Sequence, residues 1–124
     1  AVTDVPQVFP ALRRAQKIAK RCAKGGWTYS REEVLSQAQR ALDELRAGQG
    51  APGGVLAQLL YAAAELGYLT GSDCEQALLD FVKQRQAQYT AFEVRVRADG
   101  KDVTALSDEE RAAYMGEAER ERNT

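Results

Sequence analysis

The sequence predicts an all-α chain, a bundle of about five helices, and two kinds of observation lead to this fold class. A serine stands three residues before a glutamate at Ser30–Glu33, Ser72–Glu75 and Ser107–Glu110. In such a capping box the serine oxygen accepts from a free N–H of the first helical turn and the glutamate reaches back. Apolar residues at helical spacing follow each box, which indicates a helix in each case.

The first two helices have clear sequence limits. The first is expected over about residues 8–24, where Gly25 and Gly26 end it, because glycine readily adopts the left-handed conformation of helix C-termini. The second is expected over residues 31–47 and ends at Gly48. Its apolar face follows the i, i+3, i+4, i+7 pattern and consists of Val34, Leu35, Ala38, Ala41, Leu42 and Leu45.

The third helix, expected over residues 53–69 and ending near Gly71, carries almost no charge. Between Val55 and Ala64 its only polar side chains are those of Gln58 and Tyr61. A helix that is apolar nearly all round must be covered nearly all round. Because 124 residues offer few neighbours, we expect a second copy to supply the cover, as a homodimer with this helix near its centre.

The fourth helix begins after Ser72 and the fifth covers about residues 108–121, but residues 92–104 allow two interpretations. Phe92, Val94 and Val96 alternate with charged residues, which is typical of a strand and hairpin. Phe92 and Val96 also share one helical face. We expect a continuing helix, because a lone hairpin would have no sheet to join.

The bulk composition places the chain among ordinary globular domains and excludes some chemistry. Its 124 residues predict a single domain over 1–124, and the net charge of -1 favours neither nucleic acid nor a membrane. No signal peptide or spanning segment is recognised, so a cytoplasmic location is expected, with Cys22 and Cys74 as reduced thiols. The absence of histidine leaves carboxylates, lysine, tyrosine or cysteine for any catalysis.

Two local patterns could bind phosphate. The stretch GQGAPG (48–53) matches G-x-G-x-x-G, but a helix rather than a strand precedes it, so we interpret it as a loop. The first helix carries a basic face that includes Arg14 and Lys17 as candidate phosphate ligands. Such a face is more often the solvated side of a helix. No aromatic residues are interleaved along it, which argues against single-stranded nucleic acid.

Nearly the whole chain resembles the second domain of MazG, a family of all-α nucleoside triphosphate pyrophosphohydrolases. The resemblance begins in FPALRRAQKIAKRCAKGGWTYSREEVLSQAQRALDEL, continues in VLAQLLYAAAELG, and returns in DCEQALLDFVKQRQAQYTAFE and ADGKDVTALSDEERAAYMGEAER. It implies a dimerising helical bundle that cleaves a nucleoside triphosphate to monophosphate and pyrophosphate with Mg²⁺. It also implies that E-E-x-x-E on one helix and E-x-x-D on the next aim carboxylates at shared metal ions.

This sequence departs from the family pattern at most of those positions. The E-E-x-x-E stretch aligns with RALDE, so Arg40 and Ala41 replace two acids and Glu44 alone is retained as a candidate metal ligand. The E-x-x-D stretch aligns with VLAQ, where Val55 and Gln58 stand instead of acids. The family's later basic and amide positions fall near Val82, Gln84, Ala87 and Gln88, and its late tryptophan falls at or beside Tyr114 and Met115.

These replacements favour a MazG-fold domain that has lost catalysis and acts as a dimerisation or regulatory module, with no cofactor. It could be the C-terminal part of a longer protein whose upstream domain is catalytic. A second hypothesis is an active Mg²⁺-dependent enzyme on a nucleoside triphosphate, using Glu44 with Asp43 and a partner-chain acid such as Glu65. A third is a phosphate or nucleic-acid binder that uses the basic first helix.

Overall fold

The computed structural model describes residues 10–121, and this part of the chain contains five α-helices and no strand, which confirms the all-α prediction. The helices are α1 (Ala11–Lys24), α2 (Arg31–Ala47), α3 (Pro52–Thr70), α4 (Cys74–Ala98) and α5 (Asp108–Glu121). The start of the first predicted helix, before residue 10, lies outside the described residues. Within residues 10–121, no helix combines the length and apolar character that crossing a bilayer requires.

Two of the three predicted capping boxes form. The Ser30 hydroxyl accepts from the Glu33 N–H at 3.1 Å, and the Glu33 carboxylate accepts from the Ser30 N–H at 2.9 Å. Ser107 and Glu110 make the same reciprocal pair at the start of α5. The predicted ends at Gly48 and Gly71 are also confirmed, because both glycines adopt the left-handed conformation that a helix C-terminus favours.

The predicted capping box at Ser72 is wrong by one residue. Helix α4 begins at Cys74, and the Asp73 carboxylate accepts from the Gln76 N–H at 3.1 Å, so Asp73 caps this helix. The Ser72 hydroxyl lies 3.0 Å from the hydroxyl of Thr70 instead. Aspartate is as good a cap as serine, and the sequence offered both side by side.

The ambiguous segment after residue 92 is helical, and the hairpin alternative is wrong. Helix α4 runs on to Ala98, and Gly100, with φ of 72°, follows its end. Phe92 and Val96 lie on one buried face of α4 and pack against Tyr114 of α5. A short 3₁₀ turn, Val103–Ala105, then leads into α5.

The chain divides into two compact units, one reaching to Ala77 and the other beginning at Leu78. In the first unit α3 packs against both α1 and α2. Its buried hydrophobic residues are Ala19, Val34, Ala41, Val55, Ala62 and Ala64. Small side chains dominate this set, so the helix backbones can approach closely. In the second unit the core consists of Phe92, Val96, Tyr114 and Ala118.

Gln16 of α1 joins the end of α3 to the beginning of α4. Its side-chain nitrogen donates a hydrogen bond to the Ser72 carbonyl, and its side-chain oxygen accepts one from the Cys74 N–H at 3.0 Å. Gly67 of α3 lies in the same corner and is buried. One amide side chain therefore satisfies two backbone groups that the break between the helices leaves without helical partners.

Part of the apolar surface of α3 stays exposed within one chain. Leu56 and Leu60 lie one helical turn apart on this apolar helix. The Leu56 side chain is 46% exposed and the Leu60 side chain is 61% exposed. The described residues 10–121 therefore leave part of the apolar surface of α3 exposed, and its cover by a second copy stays a prediction.

Candidate functional site

The positions that the family resemblance singles out border a cleft between α2 and α3. The cleft has a volume of about 540 Å³. Arg40 and Glu44 are one helical turn apart on α2, and Gln58 faces them from α3, so the three side chains reach the same space. The complete lining consists of Gln37, Arg40, Glu44, Ala57, Gln58, Tyr61 and Glu65.

Two other family positions lie in the core rather than in the cleft wall. Ala41 is 1% exposed and Val55 is 4% exposed, and neither lines the cleft. An acidic side chain at either position would need a hydrogen-bonding partner, because an unpaired charge is costly to bury. The apolar side chains at these two positions therefore contribute to the contact between α2 and α3.

The Glu65 carboxyl group lines the cleft and is partly buried. Burial raises the pKa of Glu65, because the low-dielectric surroundings disfavour its charged form. The pKa of the neighbouring Tyr61 is raised as well, first by burial and then by the negative charges of Cys22 and Glu65 when ionised. The cleft holds two carboxyl groups, those of Glu44 and Glu65, and one guanidinium group, that of Arg40.

These residues do not fit the magnesium centre that the family resemblance implies. Mg²⁺ prefers near-octahedral oxygen ligands, and its protein sites rely on carboxylates. No group of three or more acidic, histidine or cysteine side chains capable of holding a metal ion occurs in the described range 10–121. The guanidinium of Arg40 adds a positive charge to the same cleft, where it would repel a divalent cation.

Of the three acids in the alternative catalytic site, Glu44 and Glu65 line the cleft, and Asp43 does not. Asp43 is exposed and accepts a hydrogen bond from the Gln39 side chain at 3.0 Å, and it does not line the cleft. Glu65, which the sequence interpretation assigned to a partner chain, lines the cleft of its own chain beside Glu44.

Two polar residues of the cleft, Gln37 and Tyr61, were not recognised as site residues from the sequence. Gln37 precedes Arg40 by three residues and Tyr61 follows Gln58 by three, so each lies on the face of a residue that was singled out. Extending each helical face by one further turn would have found both.

An adjoining cavity of about 420 Å³, here called the aromatic pocket, was also missed. Trp27, Tyr29, Tyr61 and Tyr68 line it, together with apolar residues of α1 and α3. The Trp27 indole N–H donates a hydrogen bond to the Tyr29 hydroxyl at 3.0 Å. The signal in the sequence was the pair of aromatic residues between Gly26 and the start of α2.

The basic face of α1 borders a different groove, of about 590 Å³. Arg13, Lys17 and Lys20 line it, together with Asp73 at the start of α4. The two candidate phosphate ligands are not brought together there, because Arg14 does not line the groove. The Arg14 Nε atom is buried and has no hydrogen-bond partner among the described residues.

The later family positions belong to the second unit. Gln88 and Met115 line one cavity of about 390 Å³. Arg85 and Arg111 line the same cavity, and the sequence interpretation had not connected either cation with these positions. Tyr114 is buried instead, and its hydroxyl donates to the Asp99 carboxylate.

Comparison with known proteins shows a distant likeness to one kind of enzyme. The chain is 29% identical over 119 residues to the nucleoside triphosphate pyrophosphohydrolase of Escherichia coli (strain K12). The match to the protein of the same name from Escherichia coli O157:H7 is equal in identity and extent. Each alignment covers 86% of this chain but 43% of the relative, so the chain spans less than half the length of the curated relatives it matches. No protein-family model matches the chain.

Proposed function

We propose that this chain is a MazG-related domain that does not hydrolyse nucleoside triphosphates and serves as a dimerising or regulatory module. The distant homology to the Escherichia coli enzymes supports the ancestry. One observation carries the loss of activity: the Arg40 guanidinium lines the cleft beside Glu44, where the resemblance implies a cluster of metal-binding acids. A positive charge at that place opposes the capture of a divalent cation.

Pyrophosphate release tests the loss of activity directly. The purified chain is incubated with the common ribonucleoside and deoxyribonucleoside triphosphates, in separate reactions with Mg²⁺ and Mn²⁺, and pyrophosphate is measured. We expect no turnover above that of the Glu44→Ala variant. Turnover near one per second, on the order of many natural enzymes, that disappears in Glu44→Ala would contradict the proposal.

The proposed dimer rests on the exposed apolar side chains of α3. Leu56 and Leu60 lie on one face of a helix whose sequence is apolar nearly all round. A second copy of α3 would remove both side chains from water, each contributing up to about 1.5–3 kcal/mol when fully buried. The proposed function therefore includes this dimer, and it includes regulation of a catalytic domain where one lies upstream in a longer protein.

Sedimentation equilibrium tests the dimer. The wild-type chain should sediment as a dimer, and Leu60→Glu should shift it to a monomer, because a charge would have to be buried at the contact. Ala112→Glu, an exposed substitution on α5, is the matched control and should leave the mass unchanged. A monomeric wild-type chain, or a Leu60→Glu variant that remains dimeric, contradicts this part.

A second candidate function is an active enzyme with a sparse site, and the proximity of Glu65 to Glu44 in one cleft favours it. It requires that Mg²⁺ and a nucleotide bind the folded chain and raise its thermal midpoint. The absence of any shift at millimolar concentrations of both would count against this alternative.

A third candidate function is binding of phosphate groups in the groove of Arg13, Lys17 and Lys20. Binding of a polyphosphate or nucleic acid there should weaken steeply as salt is raised, and Lys17→Glu should reduce it. Absent or salt-independent binding removes this alternative.

A further inference from the structure

Helix α1 concentrates positive charge that the rest of the chain does not share. It contains six lysine and arginine side chains and no acidic one, whereas acidic side chains outnumber basic ones after residue 24. Arg13, Lys17, Lys20 and Lys24 follow one another at intervals of three or four residues, so they form one row along the helix, here called the basic row. The small net charge of the whole chain therefore does not describe this surface, which attracts anions.

Part of the basic row lies in a recess. Arg13, Lys17 and Lys20 line the groove of about 590 Å³, together with residues from the end of α3 and the beginning of α4. Asp73 is the only acid in the described lining, and its carboxylate accepts the hydrogen bond from Gln76 that caps α4. Arg13 and Lys20 form no ion pair with a carboxylate of residues 10–121. A negatively charged ligand therefore meets an excess of positive charge in this groove.

The basic row is too long for a single phosphate group. From Arg13 to Lys24 the helix rises roughly 16 Å, at about 1.5 Å per residue. An orthophosphate ion contacts one or two of these cations, whereas a linear chain of phosphates follows the whole row and releases its counterions along it. The length of the row therefore favours an extended polyanion.

The surroundings of the row favour a phosphate chain that carries no bases. Single-stranded nucleic acid binds by stacking its bases on aromatic side chains, and Tyr68 is the only aromatic residue in the described lining of the groove. The face of α1 that holds the buried Ala19 packs against α3, so this apolar face is not available to lipid. The recess also keeps a flat bilayer or a broad duplex away from Arg13, which is only partly exposed.

We propose that the basic row binds inorganic polyphosphate, a linear chain of phosphate anions without sugars or bases, and that it does so without a divalent cation. The proposal rests on the third candidate function, phosphate binding in this groove, and adds the kind of phosphate that binds. It requires neither the dimer nor the loss of hydrolysis, because sedimentation and pyrophosphate release measure those two properties separately.

Calorimetric titration of the 124-residue chain in EDTA tests the proposal. Long-chain polyphosphate, tripolyphosphate and orthophosphate are titrated separately, and the long chain should bind at least about tenfold more tightly than orthophosphate, because it contacts more cations. Raising the salt concentration should weaken its binding steeply. Single-stranded RNA, duplex DNA and phosphatidylserine vesicles should bind more weakly than long-chain polyphosphate at equal phosphate concentration.

Variants of the basic row locate the binding. Arg13→Gln with Lys20→Gln should weaken polyphosphate binding about tenfold or more and should flatten its log–log salt dependence by roughly 0.7 per lost contact. Arg46→Gln with Lys83→Gln removes the same two charges at exposed positions outside the groove and is the control. Lys24→Gln, at the exposed end of the row, should weaken the long chain more than tripolyphosphate, which keeps the test valid if the first pair does not fold.

Four outcomes overturn the proposal. The first is no binding of long-chain polyphosphate at low salt, and the second is tighter binding of RNA, DNA or vesicles. The third is equal polyphosphate affinity in the wild type, the control pair and the variants of the row. The fourth is an affinity that does not depend on chain length, which would leave phosphate binding in the groove intact and refute only its assignment to polyphosphate.

Discussion

Gly67 on α3 lies directly against Cys74 at the beginning of α4, so that a methyl group added to Gly67 would collide with the Cys74 sulfur. The Gln16 side chain leaves little room on the other side, because its Nε2 atom would lie 3.4 Å from the same methyl group. The absence of a side chain at Gly67 is therefore a packing requirement, although glycine is a poor helix former.

Gly67→Ala should lower the free energy of unfolding by about 1–3 kcal/mol, the usual cost of overpacking a close contact. In a Cys74→Ala background the same substitution should cost much less, because the colliding sulfur is absent. Urea denaturation of the wild type, both single variants and the double variant gives the coupling between the two positions. An equal cost of Gly67→Ala in both backgrounds would mean that the sulfur is not the obstacle.

The caps of α4 provide a second prediction. Asp73→Ala should destabilise the chain by about 1 kcal/mol, because the Gln76 N–H loses its acceptor. Ser72→Ala should cost markedly less, since the Ser72 hydroxyl contacts Thr70 and caps no helix. Both values come from chemical denaturation. A larger loss in Ser72→Ala than in Asp73→Ala would restore the capping box that the sequence suggested.

Glu110 should make the stability of the second unit sensitive to acid. Hydrogen bonds from Lys101 and from Ser107 lower the pKa of Glu110 from about 4.5 to about 2. A depressed pKa means that the stabilisation is complete above the unfolded value and is lost as the pH falls from about 4.5 to about 2. Glu110→Gln should therefore lower the thermal midpoint at neutral pH but have a shrinking effect across that acidic window.

Glu109→Gln is the matched control, because it removes the same charge from the same helical turn without breaking the contacts of Glu110. Thermal midpoints of the three proteins over a series of acidic buffers test the prediction. A difference between wild type and Glu110→Gln that stays constant down to the lowest pH would contradict it.

The cleft between α2 and α3 allows a gain of metal binding to be engineered. Arg40→Glu combined with Gln58→Asp removes the guanidinium and adds two carboxylates beside Glu44 and Glu65. We expect Mg²⁺ to raise the thermal midpoint of this variant and not that of the wild type. The two added acids provide the oxygen ligands that Mg²⁺ prefers.

A variant with Arg31→Glu and Ser36→Glu controls for net charge, because it makes the same change at exposed positions of α2 outside the cleft. Scanning fluorimetry over a range of Mg²⁺ concentrations is the measurement. The prediction is that Arg40 and the lack of carboxylates prevent metal binding in the cleft. It is wrong if Mg²⁺ does not raise the thermal midpoint of the double cleft variant, or if Mg²⁺ raises that of the wild type equally.

Local chemistry explains what could be predicted from the sequence. The limits of α2 depended on Ser30, Glu33 and Gly48, which lie within or beside the helix they delimit, and these limits were correct. The start of α4 was displaced because Ser72 and Asp73 are both good caps, and Gln16, distant in sequence, holds the Cys74 N–H. No single-sequence pattern reports a partner so far away in the chain.

The convergence of Arg40, Glu44 and Gln58 was expected from the family resemblance, which aligns them with metal-binding positions on two successive helices. The structure brings these three residues to one cleft. The aromatic pocket was missed, since its rings come from the segment before α2 and from α3, and only tertiary packing brings Trp27 near Tyr61.

The bridge formed by Gln16 has a consequence for the order of folding. The first N–H of α4 depends on a residue 58 positions earlier, so closing that contact requires a long loop to be ordered first. The opening turn of α4 should consequently form late, after α1 has docked on α3. In pulse-labelling hydrogen exchange, the Cys74 amide should gain protection after the amides in the middle of α2, and earlier protection would refute that sequence of events.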